Sequence, residues 1–167
     1  MQLDGWHDFY LVTGGGAAGL TGLMFVVISL GTKVIKTRGA KNVNAFITPT
    51  VAFFSTVLVI SAVMTVPVLS PDGIASVLAV GGITGVIYLL TLRLFKQLRA
   101  SSLGWDDYAW YFGIPVACYL VMIGAAIAFH LRSQTGETLT AAAMIGLLLG
   151  GIRNAWDLVL WMAQQDD

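Results

Sequence analysis

Five runs of about twenty apolar residues, with little chain between them, decide what this sequence can fold into. A hydrocarbon core of about 30 Å is crossed by roughly 20 residues of α-helix, and inside it every backbone amide needs a partner within its own segment. The runs cover about 9–31, 45–69, 74–95, 108–129 and 139–163. They predict an all-α integral membrane protein, a five-transmembrane-helix bundle forming one domain over 1–167. Charge agrees: 11% of the residues are charged. Soluble domains carry about 25%, so these groups could not cover a water-facing surface.

The connections set the orientation. Seven of the nine basic residues, Lys33, Lys36, Arg38, Lys41, Arg93, Lys96 and Arg99, fall at the first and third connections, which share one side of the membrane. Lys and Arg are retained on the cytoplasmic side, so the N-terminus and the loop after His130 are expected outside and the C-terminus in the cytoplasm. The second connection, Ser70-Pro71-Asp72-Gly73, reads as a tight turn that makes spans two and three antiparallel neighbours. Trp6, Phe9 and Tyr10 at the outer end of span one, and Trp105, Tyr108, Trp110 and Tyr111 at the inner end of span four, read as headgroup-level anchors. Asp106 and Asp107 suit a helix N-terminus. The first ten residues lack the positive region of a signal peptide, so span one is expected to be retained. Net charge is zero and no long basic run occurs, which argues against nucleic acid as a partner; the single Cys118 allows no intrachain disulfide.

Membrane helices associate where small residues let backbones approach. Gly15, Ala18, Gly19, Gly22 and Ser29 form one stripe on span one, and the pairs Gly81/Gly85 and Gly146/Gly150 repeat the four-residue spacing on spans three and five. All are candidate packing positions, with another helix expected against span one. The run Gly14-Gly15-Gly16 suits close packing or, alternatively, a break in the helix. Pro115 is expected to kink span four, and Pro49 to sit in the first turn of span two.

The stretch GIRNAWDLVLWMA, 151–163, places Arg153, Asn154 and Asp157 in a membrane-spanning helix. Gly146, Gly150, Arg153, Asp157 and Trp161 share a face, opposite Leu148, Ile152 and Val159. A charge at the bilayer centre costs about 2.5–3.5 kcal/mol on insertion scales, so this face should turn toward protein or water. A private ion pair between Arg153 and Asp157 is one reading. Base before acid is the less favoured order along a helix, however, so each group is also expected to engage another helix or subunit. Arg93 falls at about the depth of Asp157 and Tyr88 at about that of Arg153. Brought together in several subunits, Arg153, Asn154 and Asp157 would form polar rings. A second group, His7, Asp8 and His130 with Asp4 and Glu137, could face outward and bind a divalent transition metal, although no recognised ligand spacing is present. No nucleophile motif, phosphate loop or haem-attachment sequence occurs, so neither an enzyme nor a cofactor is expected.

The segments WHDFY, GAAGLTGLMFVVISL and RNAWDLVLWMA resemble those of short polytopic inner-membrane proteins of unassigned function from bacteria. The resemblance implies residence in a bacterial inner (cytoplasmic) membrane and supplies no activity. Together these features lead to the expectation of a homo-oligomeric protein in the lipid bilayer that offers a polar path to an ion, a proton or a small solute. The rival expectations are a non-catalytic accessory or regulatory subunit of a larger membrane complex, and an outward-facing metal-binding membrane protein.

Overall fold

A computed structural model describes residues 3–30, 40–94 and 109–164. Lys33, Lys36, Arg38, Lys96, Arg99, Trp105, Asp106, Asp107 and Tyr108 lie outside the described residues, as do the side chains of Asp4, Lys41, Arg93 and Trp161. The described elements are helical: a 3-10 turn at Leu3–Trp6, then α1 (His7–Leu30), α2 (Ala40–Met64), α3 (Pro71–Leu94), a π-helical turn at Ala109–Gly113 that runs into α4 (Ile114–His130), and α5 (Thr135–Ala163). Four of the five helices, α1, α3, α4 with its π turn, and α5, are long and apolar enough to cross a membrane. The apolar part of α2 is the shorter Thr48–Met64.

The surface these helices present is suited to lipid. Leu11, Val12, Leu23, Phe25, Val26 and Leu30 of α1 are each more than half exposed, an apolar area that a water-soluble monomer does not carry. Hydroxyl groups are turned back onto their own helices: Thr21 donates to the Ala17 carbonyl, Ser76 to that of Asp72 and Thr140 to that of Gly136, each at 2.8 Å. Each such bond hides a donor that hydrocarbon could not satisfy. The chain is an integral membrane protein.

Neighbouring helices alternate in direction. Thr13 near the start of α1 meets Ser61 near the end of α2 (3.3 Å), and Asp72 at the start of α3 meets His130 at the end of α4 (3.2 Å). At the opposite end Met24, Phe54 and Leu158 of α1, α2 and α5 form a small apolar cluster. The bundle thus has a His130 end and a Trp110 end. In space the order is α1, α2, α5, α4, α3, each packed mainly on the next. Half of the membrane-crossing windows of α4 and α5 is buried, against 22% for α1, so α4 and α5 are the centre and α1 the periphery.

Glycine explains much of this order. A side chain at Gly85 would collide with the Tyr119 ring, and at Gly82 one would come within 2.9 Å of the Tyr119 carbonyl, so α3 lies close on α4. Gly146 gives the same room to Cys118, and Gly151 to the Phe54 ring on α2. In lipid, where apolar burial against a neighbour gains little over burial against acyl chains, such close contact is the main source of association.

Several expectations are corrected. Helices α2 and α3, joined by a short connection, touch little. Between them lies a cleft of about 360 Å³ lined by Ser55, Thr56, Val59, Ile60, Val77, Val80 and Gly81. A short connection limits the distance between helix ends but not lateral packing, and the Tyr119 slot at Gly82 and Gly85 draws α3 to α4 instead. Ser70-Pro71-Asp72-Gly73 is not the turn itself. The reversal occupies residues 65–69, and Ser70 caps α3: its Oγ accepts the Gly73 N–H (3.1 Å), with Pro71 and Asp72 in the first turn. Helix α1 is unbroken through Gly14-Gly15-Gly16. Pro115 stands at the start of α4, preceded by the π turn, and not at a mid-helix kink. Pro49 lies inside α2 because that helix begins at Ala40, well before the apolar run.

Candidate functional site at the polar ends of the bundle

Arg153 and Asp157 lie toward the Trp110 end of α5, on the side that meets α4. Gly146 and Gly150 on the same face adjoin Cys118 and Pro115, and one turn further along the α5 side chains meet the π turn. There the Tyr111 hydroxyl donates to Asp157 Oδ2, and the Arg153 guanidinium stacks over the Trp110 ring, 4.9 Å from its centroid. The two charged groups are themselves 3.9 Å apart, Nε to Oδ2. The expectation that each would engage a further helix is met within the chain, by two aromatic residues that sequence reasoning had treated only as anchors. A π turn widens the helix by one residue per turn, which carries Trp110 and Tyr111 around to the α5 side.

Depth changes the meaning of these charges. Arg153 is 18 residues beyond Thr135 and Trp110 is 20 residues before His130, about 27 Å and 30 Å along their helices at 1.5 Å per residue. With the polar turn His130–Thr135 at one boundary of a core of about 30 Å, both counts end near the other boundary, where Arg over Trp and Tyr on a carboxylate are at home, and not at the centre. The same counting was available in the sequence.

The remaining members of the expected polar path separate from the pair. Asn154 is 2% exposed and lies on the buried stripe of α5 with Leu147, Gly151 and Leu158, which faces α2 rather than α4; its Oδ1 has no hydrogen-bond partner among the described residues. One residue of helix turns a side chain by about 100°, enough to remove Asn154 from the face of Arg153. The Tyr88 hydroxyl makes no hydrogen bond among the described residues, and so none to Arg153, while the Tyr119 hydroxyl is 3.1 Å from Thr56 Oγ1. The Arg93 side chain is outside the described residues.

At the His130 end the structure assembles groups that sequence reasoning kept apart. Asp72 receives His130 Nδ1 on one carboxylate oxygen, at 3.2 Å, and Arg132 on the other. This trio joins the start of α3 to the α4–α5 turn at an exposed position. Among the described residues no three His, Cys, Asp or Glu side chains come together to hold a metal ion. His7 and Asp8 are exposed on α1, and His130 is turned to Asp72, so the geometry does not support a site made of His7, Asp8 and His130. Glu137, read as a loop charge, is buried in the first turn of α5 at 5% exposure. Tyr10, read as an interface anchor, is 1% exposed inside the bundle, stacked edge-on by Phe9 at 5.3 Å.

The small-residue positions divide in two. Gly81, Gly85, Gly146 and Gly150 face neighbouring helices. Gly15, Gly19 and Gly22 face open space, with nothing within 4 Å of where a Cβ would stand, and Ala18 beside them is exposed. In this stretch of α1 it is Gly14 and Ala17 that bury, Gly14 so close to Ser61 that an added Cβ would stand 2.7 Å from the Ser61 Cβ. No family model, curated protein or solved structure matches the chain. Function is therefore argued from these surfaces and polar groups.

Proposed function

We propose that the protein is a non-catalytic subunit of a membrane assembly, which docks the open glycine face of α1 on a transmembrane helix of another chain. One observation carries the reading: at Gly15, Gly16, Gly19 and Gly22 no other helix and no side chain beyond the immediate neighbours, among the described residues, comes within 4 Å of a Cβ position. Each glycine in a helix interior costs about 1 kcal/mol relative to alanine, and in lipid the return is a close backbone approach. Within one chain that return is not collected. The Arg153–Asp157–Trp110–Tyr111 group then acts as an interfacial clamp that holds the ends of α4 and α5 at one depth. By the placement of Lys33, Lys36, Arg38, Arg93, Lys96 and Arg99, the Trp110 end and the C-terminus face the cytoplasm of a bacterial cell and the His130 end faces outward.

Purification in a mild detergent, with mass measured by native mass spectrometry, tests the docking. The wild type is expected as an assembly, with a second polypeptide or with further copies of itself. The variant Gly15→Leu/Gly19→Leu is expected as a single chain with an unchanged unfolding midpoint. A wild type that is a single chain in lipid nanodiscs as well as in detergent would sink the proposal.

A second reading, a homo-oligomer that offers a polar path, is favoured by the partial exposure of Arg153 and Asp157, whose side chains remain 39% and 28% accessible despite their aromatic partners. Flux of ions and protons into liposomes, compared between wild type and Asp157→Asn, decides it. Equal flux at background level in both rejects the path.

A further inference from the structure

We propose that the cleft between α2 and α3 is a binding site for one lipid acyl chain. Its lining runs from Ser55 to Ile60 on α2 and from Val77 to Gly81 on α3, around a space of about 360 Å³. The gap is built into the packing. Phe54 seats α2 against Gly151 of α5 and Ser61 seats it against Gly14 of α1, while Gly82 and Gly85 hold α3 on Tyr119 of α4. Neither wall can move toward the other without leaving such a slot. Counted from Pro71 at the boundary, Val77 to Gly81 lie about 9–15 Å deep at 1.5 Å per residue, inside the hydrocarbon of the leaflet at the His130 end.

The walls select hydrocarbon as the occupant. The cleft is continuous with the lipid-facing surface of the bundle, because Val59 and Val80, which line it, are themselves 53% and 66% exposed, like Ile87 further along α3. Water does not suit it. A buried water takes about two to four polar partners. Of the two hydroxyl residues in the lining, Thr56 donates to the Ala52 carbonyl at 2.9 Å and stands 3.1 Å from the Tyr119 hydroxyl, which leaves Ser55 alone. A helix of another chain does not suit it either. Such a helix is about 10–12 Å across with its side chains and packs where small residues recur, whereas this lining is branched at Val59, Ile60, Val77 and Val80, with Gly81 its one glycine. The reversal at 65–69, which ties α2 to α3, also closes the cleft at the His130 end to a rod that crosses the whole bilayer. An acyl chain is narrow, flexible and present wherever the protein is. An empty gap forfeits the dispersion contacts of both walls, and a chain lying in it restores them.

Photolabelling of the full chain in nanodiscs tests the site, with a phosphatidylcholine that carries a diazirine midway along one acyl chain as the probe. Peptide mapping is expected to find several-fold more label per exposed residue at 55–60 and 77–81 than at Val12, Leu23 and Ile87 of the open surface. Native mass spectra of the protein released from the discs are expected to keep one phospholipid per chain. A leucine in place of Gly81 has room to fill the gap, because its Cβ would meet Met122 Sδ at 3.7 Å and Ile60 Cδ1 at 3.9 Å, which are ordinary contacts. Gly81→Leu is therefore expected to lose the cleft label several-fold and the retained lipid, and to keep the surface label. The wild-type map and mass decide the matter even where that variant does not fold. Label spread evenly over cleft and open surface, with no lipid retained, overturns the site, as does a cleft label that survives in folded Gly81→Leu. Reaction of Ser55→Cys in nanodiscs with a water-soluble maleimide gives the cleft to water, and a bifunctional cross-link from Ser55→Cys to a second polypeptide gives it to a protein. Either result overturns the acyl chain.

Discussion

Arg132 ends α4 in the left-handed region, φ 58°, where an L side chain costs about 1–2 kcal/mol. The turn around it is a Schellman motif: Ser133 N–H bonds to the Ala128 carbonyl at 2.9 Å and Arg132 N–H to that of Phe129 at 3.0 Å. Glycine is the usual occupant of this position, and the arginine is explained by its pair with Asp72. Both partners are about half exposed, so the pair returns at most about 1 kcal/mol. Arg132→Gly is therefore expected to unfold within about 1 kcal/mol of the wild type, while Arg132→Ala, which keeps the strain and loses the pair, is expected to be about 1 kcal/mol less stable than Arg132→Gly in denaturant titration. Ser70→Ala removes the cap of α3 and is expected to cost about 1 kcal/mol in the same measurement. At the other end, Tyr111→Phe deletes a hydrogen bond to a carboxylate and is expected to cost about 1–2 kcal/mol. Combined with Asp157→Asn it should cost clearly less than the two single changes added together; strict additivity would show that the bond contributes nothing.

At the scale of the helix, the glycines contrast most. On α3 and α5 they are slots for particular side chains: Tyr119 at Gly85, Cys118 at Gly146, the Phe54 ring at Gly151. Filling such a slot forces two helices apart, so Gly85→Val and Gly146→Val are each expected to destabilise the single chain by about 1–3 kcal/mol or more, read as a lower unfolding midpoint. On the open face of α1 the same residue type does no such work. Gly22→Ala is expected to leave the isolated chain equally stable or to raise its stability by up to about 1 kcal/mol through helix propensity. A loss of stability there would mean that α1 packs inside the bundle by that face. Four-residue spacing of small residues was legible on all three helices. Which spacing served the chain itself was not, because that depends on where the helix is rotated by its neighbours.

For the molecule as a whole, alternating helices put Gln134 at one end and the Trp110 turn at the other. The thiol of Cys118 is buried between α4 and α5. In intact cells a membrane-impermeant maleimide is expected to label Gln134→Cys and to leave Cys118 unreacted, with Cys118 labelled only after unfolding; labelling of Gln134→Cys only from the cytoplasmic side would invert the orientation. The all-helical nature of the apolar segments could be read directly from the chain, because lipid leaves a backbone few ways to satisfy its amides and hydropathy registers that demand locally. Of the five expected spans, four described helices are long and apolar enough to cross a membrane, and the apolar part of α2 is shorter than expected. Residue counting could also have placed Arg153 and Asp157 in the second half of α5, away from its middle. The partners of the polar groups were settled only by tertiary structure, Trp110 and Tyr111 for the α5 pair and Asp72 for His130 and Arg132, as was the burial of Tyr10 and of Glu137. So was the separation of α2 from α3. Each depends on how far a helix is turned about its own axis, and in a bilayer that rotation is chosen by the fit of one helix surface into another, a property of two segments together that neither carries alone.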